Sequence, residues 1–261
     1  MERDGFACLQ AHAQDLLARA RKGEITYTAF LSPREQKLLS SLSGAGADEM
    51  LLLGGYDSAE RRRAFFLPPY LQDIDDGTRL GWMADTLDES LVALCIRGSG
   101  FRELSHRDYL GAVLNLGIER DAIGDLCVIS PHSAVLFCDR TMAAFLTEHL
   151  QRAANDAVRI ERISLSPDFD GGRKFRRITD TVASPRADSV VAALANLSRE
   201  RAQALFREGM VEIDYEPAQK PDKQVEEGTV ISIRGKGKFI LRSLSEQTKK
   251  GRFRLLADQY L

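Results

Sequence analysis

Apolar residues recur at two spacings along this chain, and the switches between them divide it into elements. Phe6, Leu9, Ala13, Leu16, Leu17 and Ala20 follow helical spacing, and Gly23 ends that run. Ser32-Pro33-Arg34-Glu35 reads as a capping box with proline at the first helical position, predicting a helix to about Ser43. Residues 51–53 and 64–67 read as strands, joined by a loop that holds Gly54-Gly55. Arg61-Arg62-Arg63 falls in that loop and is expected at an exposed loop end, open to RNA contact. Pro68-Pro69-Tyr70 and the acidic stretch from Asp73 to Gly77 read as the close of a small unit and a surface turn.

The middle third has a clearer order. Residues 91–96 form an apolar strand, and Ser105 with Asp108 makes a capping pair for a helix to about Leu116. Residues 126–129 and 134–137 are apolar strands joined by Ser130-Pro131-His132-Ser133. A helix is expected from Thr141 to about Ala153, and residues 158–163 alternate apolar with charged. The order β-α-β-β-α-β is the ferredoxin-like one, shared with RNA-recognition motifs. The paired exposed aromatics that stack bases in those motifs are missing, and Phe137 reads as core.

From Ser184 to Leu241 the pattern changes again. Ser184-Pro185 is expected to open one helix, and Ser198 caps a second that closes at Gly209. Two β-rich runs, 210–214 and 229–233, precede Arg234-Gly235-Lys236-Gly237-Lys238. Arg199, Gln203 and Arg207 recur every four residues on one helix face, and Arg186 starts the preceding helix. Helix-borne guanidinium groups suit phosphates, which they hold in a fork geometry. This pattern resembles the S-four RNA-binding module first named for a small-subunit ribosomal protein. The resemblance rests on Arg186-x-Asp188, Leu197-Ser198-Arg199, Ala202-Gln203, Gly209-x-Val211 and Gly228-x-Val230-Ile231. Ala187 stands where leucine is usual, and Asp214 where asparagine is common. The module implies structured RNA as partner, with Arg186, Ser198, Arg199, Gln203, Arg207, Lys236 and Lys238 as its RNA-binding residues.

Charge sharpens this picture. Residues 173–261 hold 18 Lys+Arg against 12 Asp+Glu, a balance of +6, whereas residues 1–172 stand at −8. The overall −2 therefore hides a basic C-terminal third, a recognised pointer to nucleic acid. Arg173-Lys174-x-Arg176-Arg177 and Lys249-Lys250-x-Arg252-x-Arg254 flank the module. Hydrophobic content of 44% and charged content of 28% describe an ordinary globular chain. No apolar run reaches the ~20 residues that span a bilayer, and the polar start is unlike a secretory signal. Cys8, Cys95, Cys127 and Cys138 lack metal-binding spacing, and no metal or cofactor is implied. The reading is a cytoplasmic monomer.

His106-Arg107 projects from a helix N-terminal turn, where partial positive charge favours anions, and is a second candidate contact with RNA or the ribosome. Together with Phe30 to Gln36, Leu104 to Gly111, Leu116-Gly117-Ile118, Ile123-Gly124-Asp125 and Ile233 to Phe239, the chain resembles the YlmH family of bacterial RNA-binding proteins over nearly its full length. That resemblance implies an α+β protein: an N-terminal α/β domain (1–80), an RNA-recognition-motif-like domain (85–166), an S-four-type domain (182–245) and a basic extension (246–261). The expected boundaries lie near 75–88 and 165–182, the second a mobile linker. The resemblance further implies a non-catalytic factor that binds ribosomal RNA or tRNA on the large ribosomal subunit, in rescue of stalled translation. An RNA-modifying enzyme of the pseudouridine synthase type and a protein-interaction adaptor are the alternatives.

Overall fold

Strands covered on both faces are buried continuously, as in Val92–Ile96 and Ala134–Cys138, whereas those covered on one face alternate, as in Val230–Ile233. The computed structural model describes residues 2–42, 44–46, 48–247 and 251–261. The fold is α+β, in two compact units, Met1–Gly172 and Arg173–Leu261.

The first unit begins with α1 (Glu2–Ala20), β1 (Thr26–Tyr27), α2 (Pro33–Leu42), β2 (Met50–Leu53) and β3 (Arg63–Phe66). The strands pair antiparallel in the order β1-β3-β2. The capping box at α2 is present: Glu35 accepts from the Ser32 backbone N–H at 2.7 Å, and its own N–H reaches the Ser32 hydroxyl at 3.4 Å. Where the acidic stretch suggested a surface turn, two short helices follow, α3 (Asp76–Trp82) and α4 (Ala84–Ser90). Asp75 caps the first by accepting from the Thr78 N–H at 3.0 Å.

Next come β4 (Val92–Gly98), α5 (His106–Leu114), β5 (Ile123–Ser130), β6 (Ser133–Cys138), α6 (Arg140–His149), β7 (Arg152–Ala153) and β8 (Asp156–Ile163). Their sheet runs β5-β6-β4-β8-β7, every pair antiparallel. Leu94, Ile96, Leu136, Tyr109, Val113 and Leu146 fill one face under α5 and α6. The opposite face is covered by the N-terminal segment: Phe30 packs with Ala93, Val135 and Phe137. Tyr56 donates to Asp125 at 2.6 Å, and Asp125 also accepts the backbone N–H groups of Glu60 (2.8 Å) and Arg61 (2.9 Å). Gly55, at φ +92°, lies where a Cβ would meet the Phe137 ring at 2.4 Å. These contacts remove the boundary expected near 75–88, and residues 1–172 form one unit instead of two. The cut at Gly172/Arg173 falls inside the expected 165–182 segment.

The arginine triplet is also structural, not an exposed loop end. Arg61 donates to the carbonyls of Ile123 (3.1 Å) and Phe30 (2.7 Å). Arg63 is only 5% exposed, ion-paired with Asp139 at 3.2 Å and lying over the Phe30 ring.

The second unit contains β9 (Phe175–Val182), α7 (Ala187–Ala195), α8 (Arg199–Arg207), β10 (Val211–Ile213), β11 (Glu216–Pro217), β12 (Val230–Ile233), β13 (Gly237–Gln247) and β14 (Phe253–Tyr260). One antiparallel sheet runs β11-β10-β12-β13-β14-β9. Two expectations change here. The supposed linker supplies β9, and the supposed basic extension supplies β14, which pairs with β9 from Phe253↔Val182 to Tyr260↔Phe175 and with β13 on its other side. Leu255 and Ala257 are fully buried between charged neighbours, so a half-buried strand read as a charged tail. Lys249-Lys250 of the flanking basic run lies outside the described residues. Val190, Val191, Leu194 and Phe206 of the helices close over Ile231, Ile233, Phe239, Leu241 and Leu255. Each such side chain contributes about 1.5–3 kcal/mol when removed from water. Among the described residues no helix is long and apolar enough to cross a membrane.

Candidate nucleic-acid interface

Two helices joined by a tight turn create the site. α7 is apolar and ends with Asn196 in the left-handed region at φ +52°. Two residues later the Ser198 hydroxyl accepts the Arg201 N–H at 3.2 Å and opens α8, which closes at Gly209 with φ +65°. The start of α7 differs from expectation. Its N-cap is Arg186, not Ser184, and no side chain caps it. Residues 185–188 instead lie against the 221–225 segment: Ala187 N–H donates to the Lys223 carbonyl and Asp188 N–H to the Pro221 carbonyl, both at 2.8 Å. Those two bonds satisfy the first two amides of α7 without a side-chain cap.

This arrangement aims three predicted residues at one carboxylate. Asp188 is 0% exposed. Arg186 approaches it through Nε and Nη2, both at 3.2 Å, and Arg199 does the same at 3.1 and 3.3 Å. Gln203 donates to Oδ2 at 2.9 Å. Burial raises the cost of charging Asp188, but the hydrogen bonds from Arg186, Gln203 and Arg199 outweigh it, and the carboxyl is held well below the usual carboxylate range. The Asp188 hydrogen bond in turn raises the Arg186 guanidinium. Each guanidinium has five donors and commits two to Asp188. The side chains stay 36% and 51% exposed, so the uncommitted edges meet solvent. Two planar cations are fixed in orientation over one buried anion, a geometry whose chemistry suits phosphate oxygens.

The remaining predicted residues are not gathered at this point. Ser198 stands beside the pair as the α8 cap. Arg207 is exposed at the far end of α8, about 12 Å along the axis from Arg199. Lys236 is exposed in the turn between β12 and β13. Lys238 lies within β13 next to buried Phe239, so strand alternation sends it to the sheet face opposite the helices. Its ammonium sits 4.8 Å from the ring centroids of both Tyr215 and Tyr260. Lys238 thus does not share the phosphate track of Arg186 and Arg199.

In the first unit, Ser105 caps α5 in a full capping box with Asp108. His106 and Arg107 are exposed on its first turn. Desolvation, with the positive charge of Arg120, pushes the His106 imidazole below its ordinary value and disfavours its charged form. Sequence reasoning found Asp188 as part of a motif but missed its role as the hub, because burial is not legible in a single aspartate. It also missed the aromatic partners of Lys238; the signal available was the alternation Lys238-x-Ile240-x-Arg242 and Arg254-x-Leu256-x-Asp258-x-Tyr260.

Comparison with known proteins adds three findings. A family model described as "Putative RNA-binding domain in YlmH" matches residues 91–167. The chain is 33% identical over 233 residues to "Ribosome-associated protein quality control protein P2" of Bacillus subtilis (strain 168), covering 89% of this chain and 86% of that protein. A solved structure, "Cell division protein ylmH from Streptococcus pneumoniae", aligns at TM-score 0.49 and 19% identity over 65% of this chain and 96% of that one.

Proposed function

This chain belongs to the YlmH family, and we propose on that premise that it is a non-catalytic RNA-binding factor of ribosome-associated quality control. It acts on ribosomal RNA or tRNA at the large ribosomal subunit, in the cytoplasm, as a monomer. The observation that carries this reading is the Asp188-held pair Arg186 and Arg199. Such a pair offers fixed guanidinium edges to a phosphate backbone at little further cost in side-chain entropy. Two further observations support it. The helix-turn-helix on a sheet carries every motif of the S-four resemblance, and the strand order β5-β6-β4-β8 is that of a ferredoxin-like, RNA-recognition-motif-like domain.

The four buried aspartates among the described residues are all held by protein donors. Asp188 is saturated by Arg186, Arg199 and Gln203, Asp125 by Tyr56 and two backbone amides, Asp156 by Ser99, and Asp258 by Arg177 and Arg242. Crosslinking in intact cells, followed by sequencing of the attached RNA, tests the proposal. Reads concentrated on ribosomal RNA or tRNA are expected, and their absence would overturn it. Incubation of either RNA with the purified protein is expected to leave it chemically unchanged by mass spectrometry.

A further inference from the structure

The C-terminal sheet has a second face, and its chemistry differs from that of the helices. Register places Phe175 opposite Tyr260, Arg177 opposite Asp258 and Lys238 beside Ser232, all on the side away from Phe239, Leu255 and Ala257. The rings of Phe175 and Tyr260 meet edge to face at 4.9 Å. Cations line them: Lys238 at 4.8 Å from Tyr260 and from Tyr215, and Arg242 at 5.6 Å from Phe175. Phe175 keeps 39% of its surface exposed, unusual for a phenylalanine on a strand.

We propose that this aromatic and basic face is a second binding site, one that takes an unpaired stretch of RNA by stacking its bases. The choice of occupant follows from charge and shape. Across this face Arg177, Lys238, Arg242 and Arg254 stand against Glu212 and Asp258, and Asp258 is already held by Arg242 at 2.8 Å and Arg177 at 3.4 Å. The surplus is positive and calls for an anion. Rings interleaved with cations suit a polyanion that also carries flat π-systems at each repeat, which is an unpaired nucleic acid strand. A duplex hides its base faces and gains nothing from the rings. The inference rests on the RNA-binding reading, but on residues that the Arg186–Arg199 pair does not use. The two faces divide the work: fixed guanidiniums for the phosphates of a folded RNA, rings for bases displaced from it.

The test uses the full-length protein and two fluorescein-labelled probes of equal charge, a twelve-nucleotide uridine RNA and the same backbone without bases. The base-bearing probe is expected to bind about tenfold more tightly or better. Phe175→Leu and Tyr260→Leu keep apolar bulk while removing the rings, and each is expected to abolish most of that preference without weakening the abasic probe. Lys238→Gln provides a variant with minimal risk to folding and is expected to weaken both probes. Arg186→Ala with Arg199→Ala is expected to leave the preference for bases intact while reducing binding of a hairpin RNA. Equal affinity for the two probes, or an unchanged preference in folded Phe175→Leu and Tyr260→Leu, would overturn the site. So would an acidic peptide that displaces the uridine RNA at lower concentration. Unchanged hairpin binding in that double variant would count against the helix site and leave this one standing.

Discussion

Asp188 decides what the two best arginines can do. An isolated surface arginine loses much rotamer freedom when it grips a phosphate, whereas Arg186 and Arg199 are already fixed by a carboxylate with no exposed surface. Asp188→Asn therefore separates two ideas that predict opposite signs. Removing a negative charge favours RNA by simple electrostatics, yet loss of the organiser is expected to lower affinity about tenfold. The same change is expected to cost about 1–3 kcal/mol in urea unfolding, because two guanidiniums lose a charged partner. The pH dependence has a definite sign. The folded carboxyl lies below its unfolded value of about 3.9, so its contribution is complete above that pH and fades as pH falls further. The stability gap between Asp188→Asn and the native protein is expected to shrink below about pH 4. Around α5, Arg107→Ala is expected to lower the salt slope of RNA binding by about one unit and His106→Ala to change it less, since desolvation disfavours the charged imidazole. Equal effects on the slope would contradict this difference.

Elements were legible where their signals were local, and hidden where tertiary partners supplied the reason. The Ser32–Glu35 and Ser105–Asp108 boxes, the Ser198 cap and the Gly209 stop each occur within a turn of chain, and all four are present. Cap assignment failed at Ser184, because the amides of α7 are satisfied by a segment more than thirty residues away in sequence. Strands β9 and β14 were missed for the same reason: arginines interrupt their thin apolar pattern, so they resemble linker and tail until they pair. Leu255→Ala tests how much β14 matters. With no exposed surface at that position, a loss of about 2–5 kcal/mol is expected in denaturant melts of the second unit. A change below about 0.5 kcal/mol would mean that β14 is a dispensable extension after all. In the first unit, Gly55→Ala places a methyl 2.4 Å from Phe137 at a positive φ and is expected to destabilise by about 1–3 kcal/mol.

On the scale of the molecule, the chain concentrates positive charge in the unit that carries the organised arginines. That unit has its own core and its own sheet. The charge balance of +6 against −8 was plain in the sequence, and so was the motif order. The merging of residues 1–172 into one unit was not, because it depends on Phe30 and Asp125 meeting groups far away in sequence. The fragment Arg173–Leu261 is accordingly expected to fold alone, with a cooperative melt and dispersed amide resonances. The central claim is that RNA is held by the Asp188-organised pair. Its most direct measurement is cosedimentation of full-length Arg186→Ala/Arg199→Ala with ribosomal particles through a sucrose gradient, with folding checked by circular dichroism. The account predicts a folded protein that stays at the top of the gradient. A folded double variant that travels with the particles as the native protein does would contradict it.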